Sequence, residues 1–346
     1  MAHRGVSGRT SDDLERLGAQ ETDARAFRAR VLERLRAVLR FDSYAWVLTD
    51  PLTTVGIDPL AELPDLAELP AVVRLKYLTP LNRWTSLGDV AVLGDRARDS
   101  PLWCEIQRPY GVIDVASVVF RDRFGCWGFL DLWRGRAYDA DEVALLREVA
   151  PGLTGALRRR QARTFEVVSA APRRATAGPV VLLMSDELRI VGQTGASQEW
   201  LRLLLPGPAG TAPVPACAYN VAAQLLAREE GVDAHEPAAS THLADGVWVT
   251  LRASRVQPGN LIAVTIEPTS PGTRLGLFAR ANGLSDRERE LVELLAEGAD
   301  TVETASRMYL SPHTVQDHLK SVFAKTGTHN RRMLLSHALG VRSHGG

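Results

Sequence analysis

The chain alternates between two hydrophobic rhythms, one of 3.6 residues and one of two, and each change of rhythm marks an element. From Asp23 to Arg40, "DARAFRARVLERLRAVLR" sets Phe27, Val31, Leu35 and Val38 at helical spacing, which predicts an amphipathic helix. "YAWVLTDP" then reads as a strand stopped by Asp50-Pro51. Two longer strands follow, "GVIDVASVVFRD" and "GCWGFLDLWRG", joined by the polar turn "RDRFG". The helical rhythm returns in "DADEVALLREVAPGLTGALRRRQARTFEVV", where Val143, Leu146, Val149, Leu153 and Leu157 form a stripe. Pro151 is expected to bend that helix. An opening helix, an antiparallel meander and a long closing helix predict an α+β domain over 20–165.

"SAAPRRATAGP" (169–179) reads as a linker. A second β pattern begins with "VVLLMSDELRIVGQT" and continues through the helices "SQEWLRLLL" and "AYNVAAQLLARE". It closes on the hairpin "GVWVTLRASRV" and "NLIAVTIEP", so 178–268 is a second α+β unit ended by "TSPGT". Beyond Leu277 no strand signal remains. Four short helices are expected over 280–340: Ser285 and Glu288 form a capping box, and Asp300 with Glu303 opens the second helix. Ser311 with Pro312 opens the third and Gly327 ends it. The fold class is therefore multidomain, two α+β domains followed by an all-α four-helix domain.

Composition narrows the function classes. The 346 residues are 45% hydrophobic and 24% charged, ordinary globular values, with a formal net charge of zero. Any attraction to nucleic acid must therefore be local. Cys104, Cys126 and Cys217 lack C-x-x-C spacing, which argues against structural zinc or a disulfide framework. The N-terminus has no signal-peptide core, and no apolar run approaches the ~18 residues of a membrane span. A cytoplasmic protein without membrane attachment is expected.

The local charge lies at the C-terminal end. Between Leu284 and Glu303 seven acids face only Arg287 and Arg289, whereas from Ser311 onward Asp317 is the sole acid against Lys320, Lys325, Arg331, Arg332 and Arg342. In "SPHTVQDHLKSVFAKTG", Val315, Leu319, Val322 and Phe323 form a stripe for docking on the preceding helices. Gln316, Asp317 and Lys320 lie on another face. Gln suits adenine, Asp accepts from the cytosine amino group and Lys donates to guanine. His313 and Asp317 supply two metal ligands at most, with no cysteine near and no H-E-x-x-H, so DNA reading outweighs a metal site. No nucleophile elbow, P-loop or zincin spacing occurs, so neither an enzyme nor a cofactor is expected.

The run "LSDREREL…LLAEGADTVETASRMYLSPHTVQDHLKSVFAKTGTHNRRMLL" resembles the LuxR-type (NarL/FixJ-like) helix-turn-helix of bacterial transcription regulators. The resemblance implies base contacts from Gln316, Asp317 and Lys320. It implies phosphate contacts from Ser311, His313, Thr314, Lys325 and Arg331. Two positions depart from the family pattern: Val302 offers no phosphate contact, and Thr304 puts a hydroxyl where Ile would pack. The 20–165 region resembles a GAF domain of the kind fused to these regulators, through "FDSYAWVLTDP", "RLKYLTPLNRW" and "GFLDLWRG…YDADEVALLREVAPGL". Residues 178–268 are similar to a PAS-type fold.

These readings imply a sequence-specific transcription regulator whose sensory domains control the C-terminal helix-turn-helix. Its expected partners are double-stranded DNA, RNA polymerase and a small-molecule or protein effector. Trp46, Trp84, Trp103 and Trp127 are candidate walls of an effector pocket, and Arg74, Lys76 and Arg83 candidate anion contacts. "ALLREVAPGLTGALRRRQ" could pair with its copy in a homodimer. The alternative is a sensory or interaction protein whose helix-turn-helix no longer binds DNA.

Overall fold

A computed structural model describes residues 17, 23–166, 180–205, 213–243 and 247–340. The linker expected at 169–179 lies outside the described residues.

The chain divides into two compact units. The first comprises the described parts of 1–157, 177–241 and 250–267. Helix α1 (Ala24–Leu39), capped by the Asp23 carboxylate, buries Phe27, Val31, Leu32, Leu35 and Leu39. Strands β1 (Ser43–Thr49), β2 (Gly56–Glu62), β3 (Ala91–Val92), β4 (Asp114–Asp122) and β5 (Gly125–Arg134) form an antiparallel sheet in the order β2-β1-β5-β4-β3. β4 and β5 are buried along nearly their whole length, which is why they read as continuous apolar runs. β2 escapes the sequence reading because Pro59 interrupts it; it lies at the sheet edge, where a missing N–H is tolerated. Helix α2 (Leu69–Leu78) covers the β5 face that carries Asp131.

Helix α3 (Ala140–Arg163) is assigned as one helix through Pro151, with Leu145, Leu146, Val149, Leu153, Ala156 and Leu157 buried. That stripe is covered within the protomer, so the apolar seam expected to join two copies is already occupied.

A second sheet contains β6 (Val180–Met184), β7 (Ile190–Gln193), β8 (Ala238–His242), β9 (Trp248–Arg255) and β10 (Ile262–Pro268). Its order, β7-β6-β10-β9-β8, repeats the path of the first sheet strand for strand. Between β7 and β8 lie helices α4 (Ser197–Leu204) and α5 (Ala216–Glu229). The Ala-rich α5 buries Ala216, Ala218, Ala222, Ala223 and Ala227. Small side chains let backbones approach: a Cβ built on Gly56 of β2 would stand 2.7 Å from Val47 and 2.8 Å from Asn220 of α5. The buried Asp50 carboxylate accepts the Ser240 N–H at 2.7 Å, a bond across 190 residues of sequence. The two α+β regions, expected as separate domains, thus share one compact unit.

The second unit comprises the described parts of 158–176, 242–249 and 268–346. It holds helices α6 (Pro271–Ala281), α7 (Asp286–Ala296), α8 (Thr301–Met308), α9 (Pro312–Thr326) and α10 (Arg331–Leu339). The four expected helices are α7 to α10, and α6 is additional. Its Ser270 cap and Pro271 repeat the Ser311-Pro312 start signal earlier in the same unit, inside the stretch read as a terminator.

Candidate nucleic-acid interface

Local sequence sets the start of each helix. The Ser285 hydroxyl accepts the Glu288 N–H, and the Glu288 carboxylate accepts the Ser285 N–H at 2.7 Å, a complete capping box for α7. The Asp300 carboxylate accepts the N–H groups of Val302 and Glu303, both at 2.8 Å, and opens α8. α8 ends at Tyr309, which adopts the left-handed conformation at φ 57° and is 95% exposed. One residue further, Ser311 caps α9 by accepting the Thr314 N–H at 3.1 Å.

α9 docks through Val315, Leu319 and Val322, all buried, while Phe323 of the expected stripe is only half-buried. The opposite side presents Gln316, Asp317 and Lys320 to solvent, with His313 exposed and Thr314 half-buried at the helix start. Lys320 Nζ donates to Asp317 at 3.1 Å, and His313 Nε2 lies 3.7 Å from the same carboxylate. The bond from Lys320 holds the Asp317 carboxyl below its ordinary range. Amide, carboxylate and ammonium therefore stand together on one exposed face, a mixed donor and acceptor set of the kind that reads base edges.

The docked side carries a polar lock that links α7 to α9. Glu288, 4% exposed, accepts from Lys325 Nζ at 2.6 and 2.8 Å and from the Ser321 hydroxyl at 2.6 Å. Burial would push its carboxyl up, but the Lys325, Ser321 and Ser285 bonds outweigh burial and hold it at about 2. Sequence reasoning assigned Glu288 only to the cap; its bond to a lysine 37 residues away is not a local signal. Lys325, expected at phosphate, is thus engaged inside the domain. So is Arg331, whose Nη2 donates to the carbonyls of Ala299 at 2.7 Å and Leu295 at 3.3 Å. Of the phosphate candidates, Ser311, His313 and Lys325 are exposed, and Thr314 and Arg331 are half-buried. Of the two departures, Val302 is 68% exposed, and Thr304 is fully buried with no hydroxyl partner among the described residues.

The four tryptophans do not share one site. Trp46 lies opposite Leu130, and Leu130 opposite Val118, on one face of the first sheet. Trp84 stacks on Phe129, whose neighbour across the strand is Val119, on the other face. Trp103 packs against a buried cluster that includes Leu102, Val112 and Trp133, and donates its indole N–H to the Val112 carbonyl at 2.9 Å. Trp127 is buried and donates to Asp122 at 3.0 Å beside the β4–β5 turn. The strand alternation of two places Trp46 and Trp84 on opposite sides. Lys76, a candidate anion contact, is 3% exposed and pairs with the buried Asp131 at 2.9 Å while donating to Ser117 at 3.2 Å. Arg83 Nε lies 3.7 Å from Asp233.

Among the described residues no group of three or more His, Cys, Asp or Glu could hold a metal ion, and no helix is long and apolar enough to cross a membrane.

Comparison with known proteins places this geometry. Residues 282–338 match the family described as bacterial regulatory proteins, luxR family. A Mycobacterium tuberculosis protein described as an HTH-type transcriptional regulator is 42% identical over 55 residues, 16% of this chain and 6% of that one. The spore germination protein GerE of Bacillus subtilis is 40% identical over 48 residues, 14% of this chain and 65% of GerE. The chain therefore spans only a small part of the first relative and just under two thirds of the second. A structure of SdiA in complex with octanoyl-rac-glycerol is 15% identical, with 96% of this chain and 94% of that one covered at a TM-score of 0.31, too remote to bear on the fold. The matched segment begins in the turn before α7 and ends within α10, so it takes in the capping box, the Glu288 lock and the exposed face of α9. Residues 282–338 are a helix-turn-helix domain of the luxR family of bacterial regulatory proteins.

Proposed function

We propose that this protein is a sequence-specific, DNA-binding transcription regulator that places α9 in the major groove. The observation that carries this reading is the exposed set of Gln316, Asp317 and Lys320 on a helix whose opposite side is fixed by three buried residues and the Glu288 lock. Gln316 and Lys320 read bases directly, while Ser311, His313 and Thr314 face the backbone at the helix start. The two α+β regions, 20–165 and 178–268, act as GAF-like and PAS-like sensors of a small-molecule or protein effector. The protein works in the cytoplasm as a homodimer on double-stranded DNA, with RNA polymerase as the downstream partner.

Selection of bound fragments from random DNA with the purified full chain tests the reading. The wild type is expected to enrich one motif. Lys320→Ala and Gln316→Ala should each relax preference at one position, by about 1–3 kcal/mol of discrimination. Failure of the wild type to enrich any sequence overturns it. That failure would favour the second reading, an interaction protein without DNA binding, which draws on the internal engagement of Lys325 and Arg331 and the exposed Val302.

A further inference from the structure

Asp317 is an acid on the face of the chain where an acid is least expected. From Ser311 onward it is the sole acid, and it shares the exposed side of α9 with Gln316 and Lys320. A carboxylate there repels phosphate and weakens attraction to DNA of any sequence. As a support for the helix it adds little. The Lys320 and Asp317 side chains are 73% and 55% exposed, and an ion pair so exposed contributes little to stability.

The carboxylate is only partly used. Lys320 Nζ donates to Oδ1 at 3.1 Å, whereas His313 Nε2 lies 3.7 Å from Oδ2, too far for a hydrogen bond. Oδ2 therefore keeps its capacity to accept. The ammonium has three N–H donors, one of them on Asp317, which leaves two for an outside acceptor. A donor group and an acceptor group thus stand side by side on α9, with 3.1 Å between Nζ and Oδ1.

One base pair offers the complementary pattern. In the major groove a G·C pair shows the guanine O6 and N7 acceptors beside the cytosine N4 amino donor. O6 and N4 are bonded to each other within the pair, so they stand roughly 3 Å apart, the spacing of the two head groups on α9. Lys320 donating to guanine and the cytosine amino group donating to Asp317 leave the ion pair intact. A T·A pair keeps the order of acceptor and donor, but thymine has O4 alone where guanine has O6 and N7. C·G and A·T reverse the order, setting an amino group against the ammonium and a carbonyl against the carboxylate.

We propose that Asp317 and Lys320 act as one unit that reads a single base pair, with the keto base under the lysine, the amino base under the aspartate, and G·C preferred over T·A. The inference rests on the DNA-binding function proposed above and assigns a subsite within it. Asp317 also works by exclusion: where no amino group faces it, the carboxylate loses water without gaining a donor.

Selection from random DNA with the full chain, followed by titration, tests the unit through Asp317→Ala, Lys320→Ala and the double variant. Both side chains are exposed, so neither substitution removes packing from the core. The selected motif should contain a position held by G·C first and T·A second. Each single variant should flatten preference at that same position by about tenfold, and the double variant should lose no more than either single. Asp317→Ala should also raise affinity for DNA lacking the motif by about twofold or more, because the repelling charge is gone. An Asp317→Ala effect at another base pair, or at none, overturns the paired reading. Additive losses in the double variant do the same, and the regulator reading survives either result. A wild type without any sequence preference removes both.

Discussion

Thr304 bears the clearest cost at a single position. Its hydroxyl is buried in α8 and finds no partner among the described residues, in a place where the family pattern puts a branched aliphatic side chain. A buried, unsatisfied polar group costs about 1–3 kcal/mol. Thr304→Val keeps the shape and removes the hydroxyl, so it should stabilise the second unit by about 1 kcal/mol. Denaturant unfolding of wild type and variant checks this, and equal midpoints would show that the hydroxyl is satisfied in solution. Tyr309 carries a different cost. A bulky residue in left-handed backbone costs roughly 1–2 kcal/mol, and at 95% exposure its ring recovers almost nothing by packing within the domain. The family pattern made the first position legible; the conformation of the second depends on how α8 turns into α9.

Between elements, the Glu288 lock makes the attachment of α9 to α7 sensitive to acid. Its folded carboxyl titrates at about 2, below the ordinary carboxylate range, so the lock contributes fully above about pH 4.5 and is lost as pH falls toward 2. The shift corresponds to up to about 3 kcal/mol. Glu288→Gln should therefore be less stable than wild type at neutral pH, and the gap should close progressively between pH 4.5 and 2. A gap independent of pH would assign the loss to packing. How much the sequence disclosed follows from range. Caps at Ser285, Asp300 and Ser311 join residues two or three apart and were legible. The bonds from Glu288 to Lys325 and from Asp50 to Ser240 join residues 37 and 190 apart and were not. The grouping of Trp46 with Trp84 failed for a related reason, since composition cannot say which face of a sheet a residue takes. α6 was legible by the same Ser-Pro start used for α9, yet was passed over because Pro and Gly in "TSPGT" also spell a turn.

For the whole molecule, burial of the α3 stripe removes the most obvious apolar surface for self-association, so a homodimer would have to use other faces. Dimerisation on DNA would place two copies of α9 about one helical turn apart, ~34 Å. Sedimentation of the full chain, alone and with a selected duplex, should show two protomers per duplex, and the enriched motif should contain two half-sites 10–11 base pairs apart. One protomer on a single half-site would exclude the arrangement.

The repeated strand order has a consequence for synthesis. In both sheets the middle position falls to the strand made last, β5 in the first and β10 in the second. A growing chain that has emerged as far as β4 holds two strand pairs with nothing to join them, and each must wait for the ribosome to deliver the central piece. Until residue 134 is out, and again until 268, flanking strands offer unmatched backbone edges to any neighbouring polypeptide. The nascent protein therefore passes twice through a period when it is most exposed to aggregation, and slow translation just before either closing strand would prolong that exposure.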